Sequence, residues 1–168
     1  MIMKKRLAVL AVAAGMFCGS VLAAVPITKV DKVSPTDEIY MDMATSAASK
    51  AAKGKGLPCG AVVILNNAFR SAGTASADVT AEQNAIAKAG LSSLQNAVIY
   101  TVNEPTTDAY NDICRFGADA VFFVNPREKV IEAGIYPASA YDDSRIDTGL
   151  TQVPMKQLDY SDAEALLK

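Results

Sequence analysis

Three short, continuous apolar runs constrain this chain more than anything else in it: Gly60-Ala61-Val62-Val63-Ile64-Leu65, Ala97-Val98-Ile99-Tyr100-Thr101-Val102 and Ala120-Val121-Phe122-Phe123-Val124. They have strand length and lack the alternation of a strand with one wet face. Such runs are buried on both sides, so the sheet they form needs a layer of helices on each face. Helix signals occupy the gaps between them. Ser34-Pro35-Thr36-Asp37-Glu38 opens a helix predicted over 35–53, with Ile39, Met43, Ala47 and Ala51 as its apolar stripe, closed by Gly54 to Pro58. Thr80 is placed to cap a second helix ending at Gly90, and Thr106 or Thr107 a third ending at Gly117. A short helix is expected over 127–133, irregular chain over 136–153, and a terminal helix from Ser161, with Glu164 at capping-box spacing. Asn66-Asn67 turns the first apolar run into a return strand at 68–73. Strand–helix–strand order implies parallel neighbours, and the hairpin adds an antiparallel edge. The prediction is an α/β protein: one three-layer α/β/α domain over 35–168, with a central mixed sheet of about five strands and an N-terminal hairpin.

The first residues stand outside that domain. Lys4, Lys5 and Arg6 precede an apolar stretch over 7–17, and Val21-Leu22-Ala23 supplies small residues at cleavage spacing. The pattern is that of a secretory signal peptide over 1–23, short for a membrane-spanning helix. The expected mature chain begins near Ala24 with an extended leader over 24–34, is periplasmic or secreted, and has no membrane association after cleavage. Residues 1–23 carry three basic side chains and no acid, so their removal moves the net charge from −2 to −5. A mildly acidic chain without a basic patch is not built for nucleic acid. The chain has no histidine, which eliminates imidazole acid–base chemistry, Ser-His and Cys-His nucleophile pairs and imidazole metal ligation. Cys59 and Cys114 remain after cleavage; the sequence leaves open a disulfide between them or two separate buried thiols.

Four segments carry a family resemblance: Leu57-Pro58-Cys59-Gly60-Ala61-Val62-Val63, Thr80-Ala81-Glu82-Gln83-Asn84-Ala85-Ile86, Tyr100-Thr101-Val102-Asn103-Glu104-Pro105 and Val153-Pro154-Met155-Lys156-Gln157-Leu158. In order and spacing they resemble the cytidine-deaminase-like superfamily, in particular its guanine and tRNA-adenosine deaminase branch. The resemblance covers about Pro35 to Lys168. It implies that fold, a homodimer, and a site at which H-x-E and P-C-x-x-C hold zinc while the glutamate moves protons. Glu82 falls at the glutamate position and Pro105 at the proline. Thr80 falls where the family has histidine, Thr106 and Ala109 where it has cysteine, and Ala75 where it has a substrate-binding asparagine.

Threonine is a poor zinc ligand because its hydroxyl is not ionised near neutral pH, and alanine has no donor atom. The expectation is therefore a divergent member without zinc or another cofactor. Its pocket would be lined by Cys59, Ala75, Thr80, Glu82, Thr106, Asp108 and Ala109. It would lack hydrolytic deaminase activity and act as a binding or interaction module for a small planar ligand or an anion held between two helix N-termini. Two alternatives stand beside it: an enzyme with altered chemistry that uses Glu82 as acid–base, and a purely structural or partner-binding protein whose pocket is filled. Thr80 and Thr106 read equally as ordinary caps, Glu82 as a first-turn acid, and Tyr110, Tyr136 and Tyr141 as core or as a stacking surface.

Overall fold

In the computed structural model, which describes residues 25–167, the chain runs β1 (Ile27–Val30), α1 (Pro35–Lys53), β2 (Gly60–Leu65), β3 (Ala68–Thr74), α2 (Ala81–Ala89), β4 (Ala97–Asn103), α3 (Thr107–Phe116), β5 (Ala120–Asn125), α4 (Arg127–Glu132), β6 (Met155–Leu158) and α5 (Ser161–Glu164). The signal-peptide reading of 1–23 lies outside the described residues. The strands form one sheet in the order β1-β6-β5-β4-β2-β3. The pairs β1/β6, β6/β5 and β5/β4 are parallel, whereas β4/β2 and the hairpin β2/β3 are antiparallel.

The apolar runs do what double burial requires. Successive side chains of a strand point to opposite faces, and here they feed two separate cores. Ala61, Val63, Ile99, Val121 and Phe123 join α2 and α3 on one face. Val62, Ile64, Tyr100, Val102 and Val124 join α1 and α5 on the other. Two glycines let the helices settle onto the sheet. A Cβ on Gly60 would lie 2.2 Å from the Ala44 carbonyl oxygen of α1, and one on Gly73 would lie 2.2 Å from the Ala81 carbonyl oxygen of α2. Among the described residues no helix is long and apolar enough to cross a membrane.

The sheet has six strands where about five were expected. The additional pairing comes from the leader: Ile27 to Val30 lies beside Met155 to Leu158. Its side chains are mostly exposed, so it is held by backbone hydrogen bonds and carries no apolar pattern. The α1 stripe also has a different phase. Met41, Ala44 and Ala48 are buried, while Ile39 and Met43 are 56% and 38% exposed. The small pair Ala44/Ala48 faces Gly60, and this close approach selects the buried side of the helix. At the C-terminus Tyr160, not Ser161, is the cap residue, with no side-chain cap bond. Glu164 pairs with Lys129 at 2.9 Å instead of closing a capping box.

Candidate functional site

Two helix starts converge at the C-terminal end of β4. Thr80 is extended (φ −72°, ψ 166°), and its Oγ1 accepts from the Gln83 backbone N–H at 3.3 Å while the Gln83 side chain accepts from the Thr80 N–H at 3.1 Å. This is a complete capping box. The Gln83 amide also donates to Asp112 Oδ2 at 2.7 Å, tying α2 to α3. Thr106 Oγ1 accepts from the Ala109 N–H at 3.3 Å at the start of α3. Both threonines thus spend a hydroxyl lone pair on backbone that would otherwise be unsatisfied.

Glu82 follows in the first turn of α2 and is 4% exposed. It accepts a short hydrogen bond from the Thr101 hydroxyl of β4. Burial pushes its carboxyl above the usual carboxylate range; the bonds from Thr101, its own backbone N–H and Thr80 oppose that without cancelling it. Among the described residues no cation pairs with it. Beside it, Cys59 Sγ accepts from Asn103 Nδ2 at 3.2 Å. Burial raises the Cys59 thiol to about 11; contact with Tyr136 lowers it, the Glu82 charge raises it and Asn103 lowers it. Asn103 Oδ1 in turn accepts from Asn125 Nδ2 at 3.1 Å. The Tyr136 hydroxyl lies against Cys59 and faces Glu82, yet it is buried without a hydrogen bond of ordinary geometry.

A second acid closes the same end. Glu104 accepts from the Arg127 backbone N–H at 2.8 Å and from Arg127 Nε at 2.7 Å. Burial pushes Glu104 up even so, against the pull of Arg127. Arg127 continues to Asp143 at 2.8 Å and lies 5.4 Å from the centre of the Tyr141 ring. The Tyr141 hydroxyl donates to the Glu104 carbonyl at 3.2 Å.

Of the residues expected at the site, Cys59, Glu82, Thr106 and Ala109 are buried at this end of the sheet, and Thr80 is half-buried at its rim. Ala75, just beyond β3, packs on the same core and offers only a methyl group. Asp108 does not join them: its side chain is 63% exposed and pairs with Arg145 at 2.6 Å, because its place in the first turn of α3 faces outward. The disulfide is absent. Cys59 and Cys114 are free buried thiols, one against Asn103 and the other on α3 beside Tyr110. Thr101, Asn103, Asn125 and Arg127 escaped the sequence reading. For Asn103 and Asn125 the signal is a polar residue ending an apolar strand.

Residues 34–125 match the model of the cytidine and deoxycytidylate deaminase zinc-binding region, and the chain belongs to that family. Among solved structures it is similar to a tRNA deaminase that edits adenosine to inosine at the wobble position, with 20% identity over 77% of this chain and 99% of that one and a TM-score of 0.61. It is also similar to guanine deaminase from Bacillus subtilis, with 30% identity over 64% of this chain and 71% of that one and a TM-score of 0.55. The guanine deaminase from Nitrosomonas europaea has 16% identity over 81% and 84%, with a TM-score of 0.60. No curated protein matches the chain.

The donor set does not fit the family's metal. A structural or catalytic zinc takes thiolate, imidazole or carboxylate ligands. The three positions here offer two neutral hydroxyls already engaged as caps and one methyl. Among the described residues no group of three Cys, Asp or Glu converges elsewhere to replace them.

Proposed function

We propose that this chain is a deaminase-family protein that does not hydrolyse an amine and works by binding a small planar ligand. The observation that carries this reading is the engagement of Thr80 and Thr106 as helix caps where the family chemistry needs metal donors. Without a metal, nothing at this end of the sheet lowers the pKa of water to neutrality, the step on which the family reaction depends. Glu82 could move a proton, but no activated nucleophile stands beside it. The nearest candidate, Cys59, is held as a thiol by burial. What persists is a polar end wall between two helix starts, suited to orienting a flat molecule with hydrogen-bonding edges. We further propose export, with cleavage after Ala23. That cut leaves Ile27 to Val30 intact, and the sheet uses those residues.

Expression of the full chain, followed by N-terminal sequencing of the periplasmic or secreted product, metal analysis and ammonia assays, tests the reading. The expected product begins near Ala24, carries no stoichiometric zinc and releases no ammonia from cytidine, deoxycytidylate, adenosine or guanine. One tightly held zinc per chain, or ammonia release above background, would overturn it.

A further inference from the structure

Ile39 and Met43 lie one turn apart on α1 and turn outward, and Phe69 of β3 is 53% exposed. Met43 lines one open groove with Ser46, Phe69 and Ala72. Three of the five large apolar side chains left exposed among the described residues therefore adjoin one another. Single apolar groups on a surface are ordinary, but a contiguous set marks a face that another surface covers. The charges on the same helix identify the cover. The outside of α1 is acidic in its first half, at Glu38 and Asp42, and basic in its second, at Lys50 and Lys53. Asp42 and Lys50 stand on one face about 12 Å apart along the axis, too far to pair with each other. Among the described residues neither is in an ion pair, and Asp42 takes only the Tyr160 hydroxyl on Oδ1. Midway between them is Ser46, small and exposed. In an antiparallel pair of identical helices, positions equidistant from the two-fold axis meet. An axis through Ser46 sets Asp42 of each copy against Lys50 of the other. It also lays Ile39 on the aliphatic stem of Lys53. The charge pairs sit about 6 Å from the crossing, within side-chain reach at either common packing angle. A parallel arrangement would bring like charges together.

We propose that the outward face of α1 is an interface with a second copy of this chain, an antiparallel helix pair centred on Ser46. α1 packs on one face of the sheet, and α2 and α3 pack on the other. The pairing therefore does not involve the end that holds Glu82, and it stands independently of what that end binds. The contact is little more than one helix wide, so association in roughly the micromolar range is expected.

Charge reversal tests it, read by sedimentation velocity on the purified protein. Asp42→Lys alone makes both junctions cationic, and Lys50→Asp alone makes both anionic. Each should weaken the dimer at least about tenfold. An equimolar mixture of the two folded variants makes both junctions attractive again, and should dimerise to within about threefold of wild type. No dimer through another face predicts that recovery. A wild-type chain that stays monomeric up to about 100 μM overturns the proposal. So does a Lys50→Asp variant that dimerises as wild type does, or a mixture that fails to recover. A second measurement covers the case in which Asp42→Lys, which forfeits the Tyr160 bond, does not fold. A two-fold axis at position 46 sets identical side chains against each other. With diamide as oxidant, Ser46→Cys should form a disulfide-linked dimer at least about tenfold faster than Lys88→Cys, an exposed position on α2. Equal rates would sink the idea.

Discussion

Glu82 and Glu104 are two buried glutamates at the same end of one sheet, 4% and 1% exposed, and they are satisfied in opposite ways. Glu104 takes a backbone N–H and a guanidinium from Arg127, which goes on to Asp143. Glu82 takes a hydroxyl from Thr101 and has no cation among the described residues. Burial pushes both carboxyls up, but only Glu104 has a counter-charge working against the push. The difference separates a carboxylate that organises structure from a carboxyl buried without a counter-charge. Glu104 joins the end of β4 to α4 through Arg127 and to Tyr141 through its carbonyl. Glu82 lies near Cys59 and Tyr136, and it imposes the cost of a buried acid without an ion pair to offset it.

The largest expected effect comes from breaking the organised side. Arg127→Ala leaves Glu104 buried and uncompensated, which typically costs about 3–5 kcal/mol. Urea denaturation of the mature chain at pH 7 should show that loss, and Glu104→Gln in the same background should recover part of it. A loss below about 1 kcal/mol would mean that Arg127 behaves as a surface pair. The contrast between the two acids would then collapse.

The next effect probes the Glu82 side through its neighbour. Burial raises the Cys59 thiol from 9.0 to about 11. A raised folded-state pKa contributes stability that is fully present below the unfolded value and is lost as pH rises through the folded one. The unfolded chain gains the ionised thiol above pH 9, while the folded chain resists until about 11. The fall across that window should be on the order of 2–3 kcal/mol from this group. Cys59→Ala should therefore lose distinctly less stability than wild type between pH 9 and 11 in matched urea titrations. Identical losses would show that Cys59 is not shielded, and that the end wall beside Glu82 is wetter than its burial implies.

The framework was legible because it rests on local signals. Continuous apolar runs require two-sided burial, and Gly90 and Gly117 take the left-handed conformation that ends α2 and α3, with φ of 65° and 72°. The frame around Thr80, Glu82 and Pro105 is local in the same way, since Thr80 and Thr106 cap the two helices that follow them. The parts that stayed hidden depend on partners distant in sequence. The strand at Ile27–Val30 exists because Met155–Leu158 lies beside it, and it buries too little to leave a pattern. The buried face of α1 is set by Gly60 approaching Ala44 and Ala48, so larger side chains such as Ile39 and Met43 turn outward. Asp108 is expected in the pocket, but its place in the first turn of α3 sends it outward to Arg145. Thr101 and Asn103 have no local signature, because their partners Glu82 and Cys59 are brought to them only by the fold.

The smallest effect is also the most diagnostic. Glu82→Gln keeps an acceptor for the Thr101 hydroxyl and removes the ionisable group. Because burial raises the Glu82 pKa above 4.5, its protonated form is favoured in the folded chain. That contribution is present below the unfolded value and is lost as pH rises through the folded one, so near neutrality the acid weighs against folding. Glu82→Gln should then be more stable than wild type at pH 7 by about 1 kcal/mol, the low end of what neutralising a buried charge yields. The corresponding rise in Tm is about 2–4 °C. The gain should fade toward pH 4, where both states hold the proton. Glu104→Gln should gain less than Glu82→Gln at pH 7, because burial pushes both carboxyls up but only Glu104 forfeits a charge-assisted pair. If Glu82→Gln instead destabilises the protein at pH 7, the carboxylate is held ionised by something the fold supplies. Glu82 would then have to be treated as a working acid–base group rather than a retained one.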